Sequence, residues 1–170
     1  MIILETERLL LREFTFDDAG FIIELLSSPG WQRFIGKRDI NTTEEAEKYI
    51  KDVLINSYRI NGFGLYAMIL KSDNMLLGMC GLVKRETLAD VDLGFAILPR
   101  FEGNGYTYEA TTAVMHFAFT GLKLKRFAAI TVSQNTASIN LLTKLGMNFS
   151  EIITQGKDSE ELMLFLKSNE

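Results

Sequence analysis

A chain of 170 residues with 47% hydrophobic, 24% charged and 11% aromatic side chains and two prolines is read as one globular domain over 1–170 with a sizeable core, which excludes disordered, collagen-like and repeat architectures. Cys80 is the only cysteine and His116 the only histidine, so no internal disulfide and no cysteine–histidine zinc site can be assembled, and no metal is expected. Net charge is −4, from 18 basic against 22 acidic residues, which argues against nucleic acid as a partner and suits a cationic substrate. The opening Met-Ile-Ile-Leu-Glu-Thr-Glu-Arg lacks a leader pattern and no apolar run approaches ~18 residues, so no membrane partner and a cytoplasmic location are expected.

The first apolar run, Arg8 to Phe14, reads as a strand, and Thr15 with Asp18 three residues on caps a helix from Phe16. Ala19, Ile22, Ile23 and Leu26 share its buried face by the 3.6-residue period, and Ser27-Ser28-Pro29-Gly30 stops it. A loop from Trp31 to Ile40 follows. A second helix starts at Thr42, boxed by Glu45, and runs to Asn61-Gly62. The period then shortens toward 2 in the segments 64–70, 75–84 and 91–98, an antiparallel meander turning at Ser72-Asp73-Asn74. In its third strand Val91, Leu93, Phe95 and Ile97 point one way, while Asp90, Asp92, Gly94 and Ala96 share the other face. Arg100 to Gly105 leads into a helix with Ala110, Ala113, Val114, Phe117 and Ala118 inward. A strand at 127–132, a helix at 136–145 ended by Gly146, and a closing hairpin of 147–154 and 161–167 complete the chain. The order βααβββαβαββ predicts an α/β fold, a mixed and mostly antiparallel sheet flanked by helices.

Arg100-Phe101-Glu102-Gly103-Asn104-Gly105-Tyr106-Thr107 lies where a strand ends and a helix begins. Glycines there let the chain turn its amides inward, and the helix start adds partial positive charge, an arrangement suited to a phosphate or pyrophosphate. A dinucleotide fingerprint fails for want of a third glycine at Tyr108, and a Walker loop fails at both Gly103-Asn104-Gly105 and Gly30 to Gly36-Lys37. On the glycines alone, a plain strand-to-helix turn is an equally available reading.

Arg100-x-x-Gly103-x-Gly105 after the strand Asp92-Leu93-Gly94-Phe95-Ala96-Ile97 resembles the acetyl-CoA loop of the GNAT N-acetyltransferase superfamily. Asn135-x-x-Ser138-Ile139-x-Leu141-x-x-Lys144-x-Gly146-Met147 resembles its second cofactor motif. Thr6-Glu7-Arg8-Leu9-x-Leu11-Arg12 with Asp17-Asp18-Ala19 resembles the opening of the RimJ/RimL branch, which acetylates ribosomal-protein amino termini. The resemblance implies a GNAT fold and acetyl-CoA as cosubstrate. It implies that the strand backbone at Phe95 and Ile97 pairs with the pantetheine arm, and that Arg100, Phe101, Gly103, Asn104, Gly105, Tyr106 and Thr107 build the pyrophosphate site. Asn135 is then beside the cofactor, and Lys144 reaches toward the adenosine phosphate. Outside such a family, helix capping and a surface hydroxyl account for Asn135 and Ser138; for Lys144 a solvated helix position stays the preferred reading within the family too.

The chemistry so implied is attack of a neutral amine on a thioester. The superfamily often places a tyrosine acid where this chain has Leu142, so Ser138 or a water is left to stabilise the leaving thiolate. Strand geometry and resemblance point to Asp92 as base, acting through water on the face shared with Asp90; a polar residue on a solvent-facing strand is the bland alternative. Trp31 and Phe34 are candidates for the acceptor wall, with core packing as the alternative. Glu102 replaces a usual apolar residue beside the loop and Met147 a usual phenylalanine. His116 falls off its helix's apolar stripe, and Cys80 reads as a small buried hydrophobe. The expected activity is acetyl transfer to a primary amine, a protein or peptide amino terminus in first place; a small-molecule amine and a non-catalytic acyl-CoA-binding module are the alternatives. Sequence leaves monomer and homodimer equally open.

Overall fold

The computed structural model describes residues 1–169. Strands β1 (Ile2–Glu5) and β2 (Leu9–Arg12) open the chain, followed by a 3-10 turn (Phe16–Asp18) and the helices α1 (Ala19–Leu26) and α2 (Pro29–Phe34). Helix α3 (Thr43–Tyr49) runs through a π-helical stretch (Ile50–Ile55) into α4 (Asn56–Asn61). Then come β3 (Leu65–Leu70), β4 (Met75–Val83), β5 (Asp92–Ile97), α5 (Tyr106–Thr120), β6 (Arg126–Thr131), α6 (Thr136–Lys144), β7 (Asn148–Gln155) and β8 (Glu160–Ser168).

The eight strands form one sheet in the order β1-β2-β3-β4-β5-β6-β8-β7, antiparallel throughout except for β5 beside β6. This is the mixed, mostly antiparallel α/β sheet expected. Two elements were not expected. The chain begins with a short edge strand, β1, paired to β2, so the anticipated strand at 8–14 is the second half of a hairpin. The anticipated loop at 31–40 begins inside a helix: Ser28 is its cap and Pro29 its first-turn residue, so the Ser-Pro pair that ends α1 starts α2. Thr42 caps α3 as the sequence indicates, its Oγ1 accepting from the Glu45 amide at 3.2 Å while Glu45 accepts from the Thr42 amide at 3.0 Å. Gly62, at φ 74°, ends α4 in the left-handed conformation that costs glycine least.

Helices cover the sheet on both sides. Alternation along the strands sends Leu82, Leu93, Phe127 and Ala129 to one face, under Ala110, Val114 and Ala118 of α5 and Leu142 of α6. The other face carries Ala67, Met79 and Ala96 against Ile22, Leu26, Trp31, Ala46 and Ile50. None of the described helices is long and apolar enough to cross a membrane.

Candidate active site

β5 and β6 run parallel yet share one register pair, Asp92 with Ala128, closed by the Ala128 amide on the Val91 carbonyl at 2.8 Å. Among the described residues no further register pair joins them toward their carboxyl ends. The facing edges of 93–97 and 129–131 have no strand between them among the described residues. Open sheets bind ligands at the carboxyl ends of strands whose neighbours part in this way. Phe95 and Ile97, half-buried, turn their side chains toward the α5 side of the core, so what they offer the wedge is main chain.

The segment after β5 turns at its mouth. Phe101 and Glu102 spend their amides inside the chain, on the carbonyls of Leu98 and Pro99 at 3.0 and 3.2 Å. From Gly103 to Tyr108, by contrast, no amide N–H meets a protein acceptor among the described residues; the first helical bond of α5 runs from Glu109 to the Gly105 carbonyl at 3.0 Å. Gly103 and Gly105 adopt φ 75° and 80°, which a residue with a Cβ pays for in strain. The Asn104 side chain braces the turn, donating from Nδ2 to the Phe101 and Glu102 carbonyls at 3.1 Å each. Six successive unpaired donors at the amino end of a fifteen-residue helix form a cradle that fits a pyrophosphate. The Phe101 amide therefore drops out of the expected set, which begins at Gly103 and takes in Asn104, Gly105, Tyr106 and Thr107.

Arg100 leaves the loop. Its guanidinium pairs with Glu24 of α1 and lies 4.9 Å from the Phe101 ring centroid, so it fastens loop to helix and does not face the amides. Glu102 is exposed and takes no part in that pair. Lys144 sits 4.2 Å over the ring of Tyr108, in the first turn of α5. Asn135 caps α6, its Oδ1 accepting from the Ser138 amide at 3.1 Å, which sets Ser138, half-buried, in that helix's first turn.

The two acidic residues do not share a solvent-facing strand surface. Asp90 precedes β5 and is held by Arg126, whose Nη2 and Nε reach it at 2.8 and 3.1 Å. Asp92 is only 2% exposed. Arg85, from the β4–β5 connection, donates from Nε to its Oδ2 at 2.7 Å, whereas Oδ1 has no hydrogen-bond partner. Burial pushes this carboxyl up to about 6, with Arg85 and, less strongly, the nearby Ile130 backbone N–H pulling the other way. Sequence reasoning missed Arg85, because nothing in its seven-residue separation from Asp92 marks the pair.

Trp31 is no open wall: on α2 it is 6% exposed and belongs to the core beneath α1 and α3, its indole N–H without a partner. Phe34, at the end of the same helix, is half-buried under the Arg33 guanidinium at 4.9 Å. Leu142 is 1% exposed and packs into the core on the α5 side. His116 is exposed on α5, and Cys80 is fully buried, its thiol pushed up by burial and so unreactive.

Over residues 8–148 the sequence matches the family described as acetyltransferase (GNAT) domain. It is 29% identical over 155 residues to a Bacillus subtilis protein named uncharacterized N-acetyltransferase YoaA, covering 90% of this chain and 86% of that one. The fold is similar to that of the ribosomal-protein-S5-alanine acetyltransferase from Vibrio fischeri, at a TM-score of 0.81 and 18% identity over 98% of this chain and 96% of that one. It is similar also to RimL, a ribosomal L7/L12 alpha-N-protein acetyltransferase solved in complex with coenzyme A, at 0.80 and 19% over 99% and 98%. At these identities the two structures speak to the fold.

Proposed function

The chain belongs to the GNAT acetyltransferase family and is an N-acetyltransferase, and on that premise we propose that it carries the acetyl group of acetyl-CoA to the N-terminal α-amine of a protein or peptide, by direct attack in a ternary complex. The observation that carries the reading is the placement of Asp92, buried at the point where β5 and β6 part, with one carboxylate oxygen unclaimed. The unpaired amides from Gly103 to Tyr108 hold the donor's pyrophosphate, and the free edge of β5 lines its pantetheine arm. From Ile97 back to Asp92 is about 17 Å of strand, a span suited to an extended arm. RimL binds coenzyme A in the same fold, which supports this assignment.

The donor, once bound, supplies an activated acetyl carbon and a thiol leaving group. The chain's own part is to hold the two reactants together and to receive a proton. Asp92 takes the proton that the amine sheds as nitrogen bonds to the acetyl carbon, and Ser138 is the hydroxyl assigned to the departing sulfur in the absence of a tyrosine at Leu142. A weak base suffices for such an acceptor: at neutral pH an α-amine of pKa about 8 is already partly neutral, whereas a lysine amine of about 10.4 stays almost wholly protonated.

Thermal unfolding with and without acetyl-CoA tests the donor half. At about 100 times Kd a native-state ligand adds about 2.7 kcal/mol, raising the midpoint by roughly 5 to 10 °C for a chain of this size. Mass spectrometry then tests the acceptor half, with expected acetylation of peptides carrying a free amino terminus and none of Nα-blocked peptides carrying lysine. A midpoint shift without turnover of any amine would favour a binding module; turnover of the lysine peptides alone would overturn the acceptor assignment.

A further inference from the structure

The amino-terminal hairpin touches the donor loop through a set of bonds that hold neither strand nor core together. Glu109, in the first turn of α5, accepts the Thr6 hydroxyl on Oε1 at 2.6 Å and the Arg8 amide on the same oxygen at 2.8 Å. Its Oε2 accepts Nε of Arg8 at 2.7 Å. The guanidinium so oriented reaches on, and Nη1 donates to the carbonyl of Asn104 at 3.0 Å. It also lies 4.6 Å from the Tyr106 ring centroid, and a Cβ built on Gly105 would stand 3.4 Å from Nη2. Arg8 thus covers the outer side of the loop, over the residues whose amides are unpaired.

We infer that the β1–β2 turn is a positioning element of the donor site, in which Glu109 anchors Thr6 and Arg8 and Arg8 fixes the peptide that aims the loop amides. The step from contact to role is geometrical. The Asn104 carbonyl and the Gly105 N–H belong to one planar trans peptide, so they point to opposite sides. Holding the carbonyl on Arg8 holds the N–H on the opposite side of the peptide, away from the guanidinium. A loop with glycine at two of its positions is otherwise free to flip that peptide. Charge adds a second effect: Glu109 alone would place a carboxylate beside an anion cradle, and Arg8 offsets it at ion-pair distance. The Thr6-Glu7-Arg8 segment, which the reaction itself leaves unused, acquires a task in this way. The inference rests on the donor reading given above.

Two donors separate positioning from general support. Acetyl-CoA carries the pyrophosphate, whereas S-acetylpantetheine has the same thioester and arm without it. In Arg8→Ala, Kd and KM for acetyl-CoA rise about tenfold, the loss of one charge-assisted contact, while the acceptor KM and the turnover of S-acetylpantetheine stay at wild-type values. Thr6→Val removes the hydroxyl bond to Glu109 together with that hydroxyl's bonds to Leu9 inside the turn and moves the acetyl-CoA Kd the same way by about threefold, whereas Thr6→Ser keeps the hydroxyl and the wild-type Kd, which keeps the test alive if the arginine variant fails to fold. Equal losses with both donors, or an unchanged acetyl-CoA Kd in both variants, would overturn the inference. Wild-type protein that does not bind acetyl-CoA would instead overturn the donor reading on which it stands.

Discussion

Arg85 donates to one oxygen of Asp92 at 2.7 Å and leaves the other, equally buried, without a hydrogen bond. A carboxylate fully saturated by donors is a poor base, and one with no counter-charge would not ionise at this depth. Half-satisfied, it retains a free lone pair where the sheet opens. Arg85, on the more exposed side of the pair, keeps the carboxyl from rising further.

The pH dependence follows with a definite sign. Asp92 must be deprotonated to accept a proton, so kcat/KM falls as pH drops through about 6. Asp92→Asn lowers kcat/KM by about 100-fold or more and erases that limb, leaving the one due to the amine and the acetyl-CoA Kd unaltered. Stability runs the opposite way. The folded pKa exceeds the unfolded one, so the contribution of this group is full when it is protonated and is lost as pH rises through about 6. Between about pH 4 and pH 7.5 the wild type therefore loses about 2 kcal/mol relative to Asp92→Asn in denaturant unfolding. A variant with an unchanged pH–rate profile removes Asp92 from the mechanism whatever its stability.

The buried indole of Trp31 makes a prediction about stability where the sequence alone suggested one about substrate. At 6% exposure in the core between α1 and α3, truncation to alanine costs about 3–5 kcal/mol and lowers the melting midpoint by about 10 °C. Trp31→Phe sacrifices no hydrogen bond, because the indole N–H has none to lose, and keeps most of the stability. Calorimetric melting of both variants, with the acceptor KM of each, checks this. A raised KM at an unchanged midpoint would return Trp31 to the acceptor wall.

What the sequence made legible is what is local. The loop from Arg100 to Thr107 is eight contiguous residues, so its glycines and the helix start that follows it could be read in one place. The strand alternation of β5 and the capping of α3 by Thr42 and Glu45 are equally local. Strand β1 was missed because Ile2-Ile3-Leu4 shows no alternation and owes its form to pairing with β2. Helix α2 was missed because Ser28 and Pro29 serve as a stop and a start at once. The state of Asp92 could not be read at all: its burial is set by packing around a strand whose neighbours lie far along the chain. Its counter-charge comes from a connection without a motif. Glu109 and Arg8 are 101 residues apart, a relation that only the fold creates.

Leu142 occupies the position at which the superfamily often has a tyrosine, and its surroundings decide whether restoring one could restore an acid. The side chain is 1% exposed and packs with the core residues on the α5 side of the sheet. A tyrosine there must find room for a ring and a partner for a hydroxyl among apolar neighbours, which costs about 1–3 kcal/mol through overpacking and more if the hydroxyl stays unpaired. Leu142→Tyr is therefore expected to lower the melting midpoint by several degrees without raising kcat. A variant that melts like the wild type and turns over faster would mean that this position opens onto the departing sulfur, and the thiolate would then belong to residue 142 instead of Ser138.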